Sequence, residues 1–331
     1  YYVRNTKDMV GPAPELPALL GTDVPKTNNT DLRTTGWELQ IGWRDHLENG
    51  LNYGVTFNVS DAQAKVTRYP NNPTGSLSSY VENRKVGEIW GYETIGIAKT
   101  NDEMNQHLAT LPNGGQSQLG DKWAAGDIMY KDLDGDGKIS NGSNTLADHG
   151  DLKVIGNKTP RYLFGLDLTA SWKGFDFRAF MQGVMKRDYS DAKEFLFGTT
   201  DSGVWWAAGI TGVQDYFRDS ETWSVKNGYE SENLNAYLPR PQYSGKNIHT
   251  QTRYLLNAAY LRMKNLQIGY TLPQSLVSKA GLGNVRFFVS AENLFTITDL
   301  PSQFDPETID TDYGNGYPLS RTFSFGVNVT L

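Results

Sequence analysis

Residues 321–331 read RTFSFGVNVTL, and no other stretch limits so strictly what the chain can fold into. Phe323, Phe325, Val327, Val329 and Leu331 fall on one parity, and Thr322, Ser324, Gly326, Asn328 and Thr330 on the other. Successive side chains of a strand point to opposite faces, so this segment is a strand with one wholly apolar and one wholly polar face. No helical period fits it. The apolar face must meet either a protein core or lipid.

Seven further segments share the pattern. Trp37, Leu39, Ile41 and Trp43 alternate with polar residues, as do Tyr53, Val55, Phe57 and Val59. Phe164, Leu166, Leu168 and Ala170 share a face, with Leu163 opposite, and Phe175, Phe177, Ala179 and Met181 follow. Leu261 and Met263 give way to Leu266, Ile268 and Tyr270, a change of parity near Asn265 that predicts a β-bulge. Val285, Phe287, Val289 and Ala291 form another strand, and Tyr1 to Lys7 a partial one. Several runs hold for about ten residues, the length that tilted membrane strands need and soluble strands rarely reach.

The connections alternate in length. Lys173-Gly174 is a two-residue hairpin turn, and Asn49-Gly50 marks a second short turn. Between them lie long stretches at 9–35, 67–160, 187–257 and 298–320. Short turns on one side and long loops on the other are the habit of outer-membrane barrels, and a β-sandwich has no reason to sort its loops this way. A stretch as long as 67–160 must hold structure of its own, and 86–97 predicts a short hairpin within it. The aromatic residues Trp37, Trp43, Tyr53, Tyr162, Trp172 and Tyr270 lie on apolar faces, as an interfacial girdle requires.

Composition does not oppose this reading. The mean hydropathy of -0.52 and formal charge of -6 reflect polar lumen faces and loops. No apolar run approaches the ~18 residues of a membrane helix. Mild acidity gives no support for nucleic-acid binding, and without cysteine there is no disulfide or thiolate chemistry. The chain opens as if at the end of a strand, YYVRNTKDMV, from which further residues upstream are expected.

Several blocks carry a family resemblance. GDIMYKDLDGDGKIS at 126–140 and VIGNKTPRYLFGLDLTASWKGFDFRAFMQG at 154–183 resemble the C-terminal half of SusC/RagA-family TonB-dependent transporters. So do AAYLRMKNLQIGYTLP at 258–273, VSAENLFTIT at 289–298 and YGNGYPLSRTFSFGVNVTL at 313–331. The resemblance implies an all-β transmembrane antiparallel barrel of the Bacteroidota outer membrane, here about eight strands of an expected 22. On that reading residues 1–331 belong to one barrel unit, with 67–160 and 187–257 as long extracellular loops. The N-terminal plug is absent from this chain. The resemblance further implies a SusD-like surface lipoprotein as partner, TonB acting through the missing N-terminal part, the rest of the same barrel, outer-membrane lipid, and oligosaccharide or peptide cargo. Leu331 departs from the terminal aromatic common in outer-membrane proteins.

Two candidate sites emerge. Asp132, Asp134, Asp136 and the carbonyl of Lys138 match the opening of a calcium loop, with Gly137 at the turn and Ile139 behind it. Ser143 stands where the bidentate Glu belongs, and Asp148 or Asp151 is available to complete a shell. The alternative is an Asp/Gly turn without metal. Trp205 and Trp206 in 187–257 are a candidate substrate-binding pair, able to stack on sugar rings; the alternative is a cluster that pins the loop. Trp90, Tyr92 and Trp123 in 67–160 invite the same two readings.

Nothing points to an enzyme. His46, His107, His149 and His249 are scattered, and neither a nucleophile triad nor a phosphate loop is legible. The expectation is therefore a nutrient importer subunit of the outer membrane. A calcium-stabilised surface β-domain that binds ligand without transport is the alternative.

Overall fold

A computed structural model describes residues 1–12, 26–190, 215–242, 244–310, 317 and 319–331. In chain order the strands are β1 (Tyr2–Pro12), β2 (Lys26–His46), β3 (Asn52–Arg68), β4 (Glu88–Tyr92) and β5 (Thr94–Ile97). A helix, α1 (Asn101–Ala109), comes next. It is followed by β6 (Ile128–Tyr130), β7 (Leu152–Asn157), β8 (Arg161–Trp172), β9 (Phe175–Lys186) and β10 (Asp188–Tyr189). The remainder are β11 (Leu256–Asn257), β12 (Tyr260–Thr271), β13 (Asn284–Glu292), β14 (Thr296–Thr298) and β15 (Thr322–Thr330).

Eight of these form one antiparallel sheet in the order β1-β2-β3-β8-β9-β12-β13-β15, with β14 attached to β12. Each strand pairs with the next long strand in sequence, the up-and-down meander that the alternating segments require. All eight expected strands are present. Among the described residues β1 and β15 each keep one edge without a strand partner.

Register carries the face pattern from strand to strand. Ala170, Phe177, Ile268, Val289 and Phe325 form one unbroken apolar row across five strands. The adjacent row is Thr169, Arg178, Gln267, Ser290 and Ser324, all on the other face. The apolar face is uncovered, with Ile41 59 %, Ile268 51 % and Phe325 71 % exposed. A continuous apolar surface of this extent is incompatible with water and fits hydrocarbon.

Aromatic residues bound the apolar band. At the short-turn end Trp172, Phe175, Tyr270 and Phe287 stand opposite one another across four strands, and the Phe175 and Tyr270 rings are 4.5 Å apart. At the other end Trp37 meets Tyr162, ring centroids 6.5 Å apart. Ten residues of β8 separate Tyr162 from Trp172. At ~3.3 Å per residue and a tilt near 40° that spans roughly 25 Å, the height of a barrel's lipid band.

The turns follow their sequence. Lys173 and Gly174 both take positive φ, 47° and 88°, the geometry that matches strand twist in a two-residue hairpin. The expected bulge falls at Lys264, where pairing with β9 jumps from Met263 to Asn265. On the polar face Gly269 and Gly326 make room for larger neighbours. A Cβ on Gly326 would enter the Phe288 ring, and one on Gly269 would meet the Arg286–Asp176 ion pair.

Two expectations are corrected. Residues 9–35 are not one long connection, because β1 runs to Pro12 and β2 starts at Lys26. Beyond the lipid band neither face is apolar, so the strand continues without a hydrophobic alternation to announce it. Residues 86–97 do not form a hairpin either. β4 pairs with β7 and β5 with β6, because the second half of the connection returns to cover the first.

Candidate functional site

Beyond the long-loop end of the sheet the connections fold together rather than hanging free. Tyr92, Ile128, Tyr130, Ile139, Leu238, Tyr254, Leu256, Leu300 and Phe304 share one buried apolar cluster, drawn from three separate connections. Small cores of this kind hold long loops when hydrogen bonds also satisfy the enclosed backbone. Gln116 does this for β6: its Nε2 donates to Ile128 O at 3.0 Å, and Tyr130 N donates to its Oε1 at 2.6 Å.

The strongest tie is polar. Asp127 and Lys246 are buried together, with Lys246 Nζ 2.8 Å from Asp127 Oδ2. Lys246 Nζ also donates to the carbonyls of Asp121 and Lys122, and Gln242, Asn247 and the Ala124 amide donate to Asp127. Every hydrogen-bonding direction of the pair is used, the condition under which a buried ion pair is tolerated. The Lys246 ammonium also lies 5.0 Å from the Trp123 ring centre. Ile128 N donates to Asn247 Oδ1, locking the two connections in register.

A third connection folds back over the polar face of the sheet. Arg262, on β12, donates to Asp305 Oδ1 at 2.8 Å and pairs with Glu307 at 3.0 Å. Lys264, turned by the bulge, meets Glu307 at 3.0 Å. Arg187 binds Asp310 and donates to Pro306 O. Residues 299–310 therefore lie against the wall, held by three basic side chains. The Asp305 carboxyl is opposed by burial, but the Glu307 amide and Arg262 hold it below the ordinary range.

The acidic loop is well formed. Asp132 accepts from Gly135 N at 2.6 Å and Gly137 N at 3.0 Å, Asp134 from Asp136 N, and Asp136 from Lys138 N. Carboxylate oxygens of Asp132, Asp134 and Asp136 lie within 4.8 Å of one another. Gly137 takes φ 80° and Ile139 is fully buried. The expected roles of the later acids divide. Asp151 is fully buried and clasps both ends of the loop, accepting from Leu133 N at 2.6 Å and Ser140 N at 2.8 Å. Asp148 binds Ser143 instead, at 2.6 Å. Burial raises the Asp151 carboxyl, and Asp134 and Asp132 push it the same way. The Lys138 ammonium stands 3.1 Å from Asp136 Oδ2, supplying a positive charge to the loop.

The aromatic candidates are distributed differently from the expectation. Trp205 and Trp206 lie outside the described residues. Tyr92 is buried, its hydroxyl pushed up to about 12 by desolvation, and Trp123 packs against the core with Nε1 donating to Gly120 O. Trp90 lies under Arg84 and beside His149. Tyr92 and Trp123 belong to the core, whereas Trp90 is half-buried and lines a cleft with Tyr69, Tyr80 and Lys158. Sequence reasoning missed Trp223 and Tyr229, which stack at 5.4 Å and an interplanar angle of 19° while 70 % and 73 % exposed. Their spacing across a short helix turn was the only available signal. The histidines have separate neighbours: His46 meets Asn52, His107 meets Gln116, and His249 stacks edge-on against Tyr92 and Tyr130.

An exposed apolar wall, a charged inner face and a crown of folded loops define a segment of an outer-membrane β-barrel. No family model matches the chain. It is 28 % identical to TonB-dependent receptor P3 of Formosa agariphila over 99 % of its own length and 32 % of the relative's. It is 23 % identical to TonB-dependent receptor P26 of the same organism, over all of this chain and 32 % of that protein. Its fold matches a structure of the RagAB peptide transporter with a TM-score of 0.66 at 22 % identity, covering 99 % of this chain and 32 % of that one. The chain thus spans about a third of the length of the relatives it matches. The chain is similar in sequence to TonB-dependent receptors and in fold to part of the RagAB transporter, in keeping with the resemblance to the SusC/RagA family.

Proposed function

We propose that the chain supplies part of the wall and much of the loop crown of a TonB-dependent importer for oligosaccharides or peptides, working with a SusD-like lipoprotein. The observation that carries this reading is the Arg262–Asp305/Glu307 anchoring of 299–310 on the inner face. It narrows the mouth with a segment held by polar contacts, which can be exchanged for cargo contacts without exposing apolar surface. The RagAB structures are described as a peptide transporter and include an open-open state, which supports a pairing with a lid and a peptide cargo. The Trp223–Tyr229 stack supports contact with ring-bearing cargo or with the lipoprotein. The long loops face the cell exterior on this reading.

The test is uptake by cells producing the full-length receptor. Labelled peptide and oligosaccharide pools are expected to accumulate, and an uncoupler of the proton gradient abolishes accumulation. Surface binding without uncoupler-sensitive uptake would instead support a ligand-binding surface domain. The convergence of Asp132, Asp134 and Asp136 favours one element of that second reading, a calcium ion in the loop.

A further inference from the structure

We infer that the outer rim of the barrel wall carries a binding surface for a phosphate-bearing lipid headgroup, centred on Arg33, Lys65 and Lys85. Arg33 on β2 stands directly opposite Lys65 on β3. On its other side Lys65 is bridged to Lys85. Val66 N donates to Arg84 O and Val86 N to Ala64 O, so Lys65 and Lys85 form the non-hydrogen-bonded kind of antiparallel pair. That is the closer of the two geometries, with Cα atoms ~4.5 Å apart. Three cations therefore stand side by side, two on β2 and β3 and the third on the segment bridged to the far side of β3.

Like charges directly opposite each other destabilise a sheet. Among the described residues none of the three forms an ion pair, and all three side chains are exposed. Nearby acids are engaged elsewhere: Asp61 with Arg161, Glu88 with Arg84, and Asp31 and Asp8 with Arg68. An arrangement that repels itself and has no counter-anion among the described residues is suited to an external one.

The face identifies that anion. Arg33 shares its parity with Trp37, Leu39, Ile41 and Trp43, and Lys65 shares its parity with Val55, Phe57 and Val59. No register shift separates them from those residues on either strand. The cations point outward, on the wall that meets lipid, and not over the mouth where cargo or a lid would sit. Four residues separate Arg33 from Trp37. At ~3.3 Å per residue and a tilt near 40° they stand roughly 10 Å beyond the aromatic edge, at headgroup height. Basic residues at an anionic membrane surface each contribute attraction within about a Debye length. The partner is therefore the lipid surface, recognised through its phosphates.

This inference rests on the outward orientation of the long loops. The test uses the full-length receptor in neutral detergent with labelled monophosphoryl lipid A as probe. The wild type is expected to retain the lipid, and R33Q/K65Q/K85Q to bind it at least tenfold more weakly. Excess inorganic phosphate is expected to compete poorly, since one phosphate without the apolar chains meets only half of the surface. The variant's melting temperature without lipid is expected to be unchanged or raised, because repulsion is removed. Equal lipid binding by both proteins would overturn the inference, as would full displacement by phosphate. Retention of the isolated partner lipoprotein by the wild type but not the variant, with lipid binding unaffected, would also overturn it. Lost lipid binding with normal uptake leaves the transport reading intact, whereas absent uptake with normal lipid binding counts against transport alone.

Discussion

Asp127 and Lys246 lie 119 positions apart in sequence and form an ion pair sealed from solvent, Nζ to Oδ2 at 2.8 Å. The pair joins the connection after β3 to the connection after β9. Removing one partner leaves a buried charge without compensation, at a cost of ~3–5 kcal/mol. K246M is expected to open the crown, seen as faster hydrogen exchange across 121–130 and 240–251. The double substitution D127L/K246M is expected to recover much of that protection. Heat-modifiable migration of the barrel is expected to persist in both, because no sheet residue is touched.

Arg262 holds 299–310 against the wall. R262A is expected to free that segment, giving new protease cleavage between Leu300 and Asp310 and a larger single-channel conductance of the full-length receptor. If conductance and cleavage match the wild type, the segment does not restrict the mouth.

Parity within β12 is open to a direct test. Ile268 faces lipid and Gln267 faces inward. I268R near the middle of the apolar row is expected to cost ~2–4 kcal/mol and to lower the folded fraction in membranes. Q267E, which sets a carboxylate opposite Arg178 on the inner face, is expected to fold normally. Equal yields from the two would contradict the assignment of faces.

Glu93 lies between β4 and β5 and meets Lys153 on β7 and Lys131 after β6, the latter at 3.0 Å. The Lys153 hydrogen bond, then that of Lys131, holds its carboxyl below the ordinary 4.5. A lowered folded value means the contribution is complete above 4.5 and is lost as pH falls through the folded value. The side chains are partly exposed, so the effect is modest. Acid titration is expected to loosen the β4–β7 region before the barrel, and E93Q to abolish that early step in hydrogen exchange.

Calcium at the acidic loop is expected to lower the Asp151 carboxyl, which burial and the Asp134 and Asp132 charges now raise. Calcium would then slow exchange of the Leu133 and Ser140 amides, and a chelator would reverse it. No change at saturating calcium identifies the loop as a turn held by Lys138.

The barrel strands were legible because lipid on one side and water on the other impose a period of two on every crossing segment. The bulge at Lys264 was legible for the same reason, since it reverses that period. Where the wall rises above the lipid band the signal fades: Asn28, Thr30, Arg33 and Thr35 belong to β2 yet show no apolar partner parity. The crown was the least legible part. Tyr92 and Trp123 were left open between cargo contact and a loop-pinning cluster because their cover comes from residues more than a hundred positions away, among them Lys246 and His249. The acidic loop was legible as a turn, but the clasp by Asp151 needed the fold to bring it back.

β2 has 21 residues and β3 has 17, whereas about 11 suffice to cross the hydrocarbon. The surplus on β2, near ten residues at ~3.3 Å each, lifts the wall by roughly 25 Å along a tilted path. On the side of β2 and β3 the crown is thus flanked by a stiff parapet that rises clear of the lipid headgroups. Whatever docks on it meets a raised, hydrogen-bonded ledge, and force applied there passes straight into the ladder of the barrel.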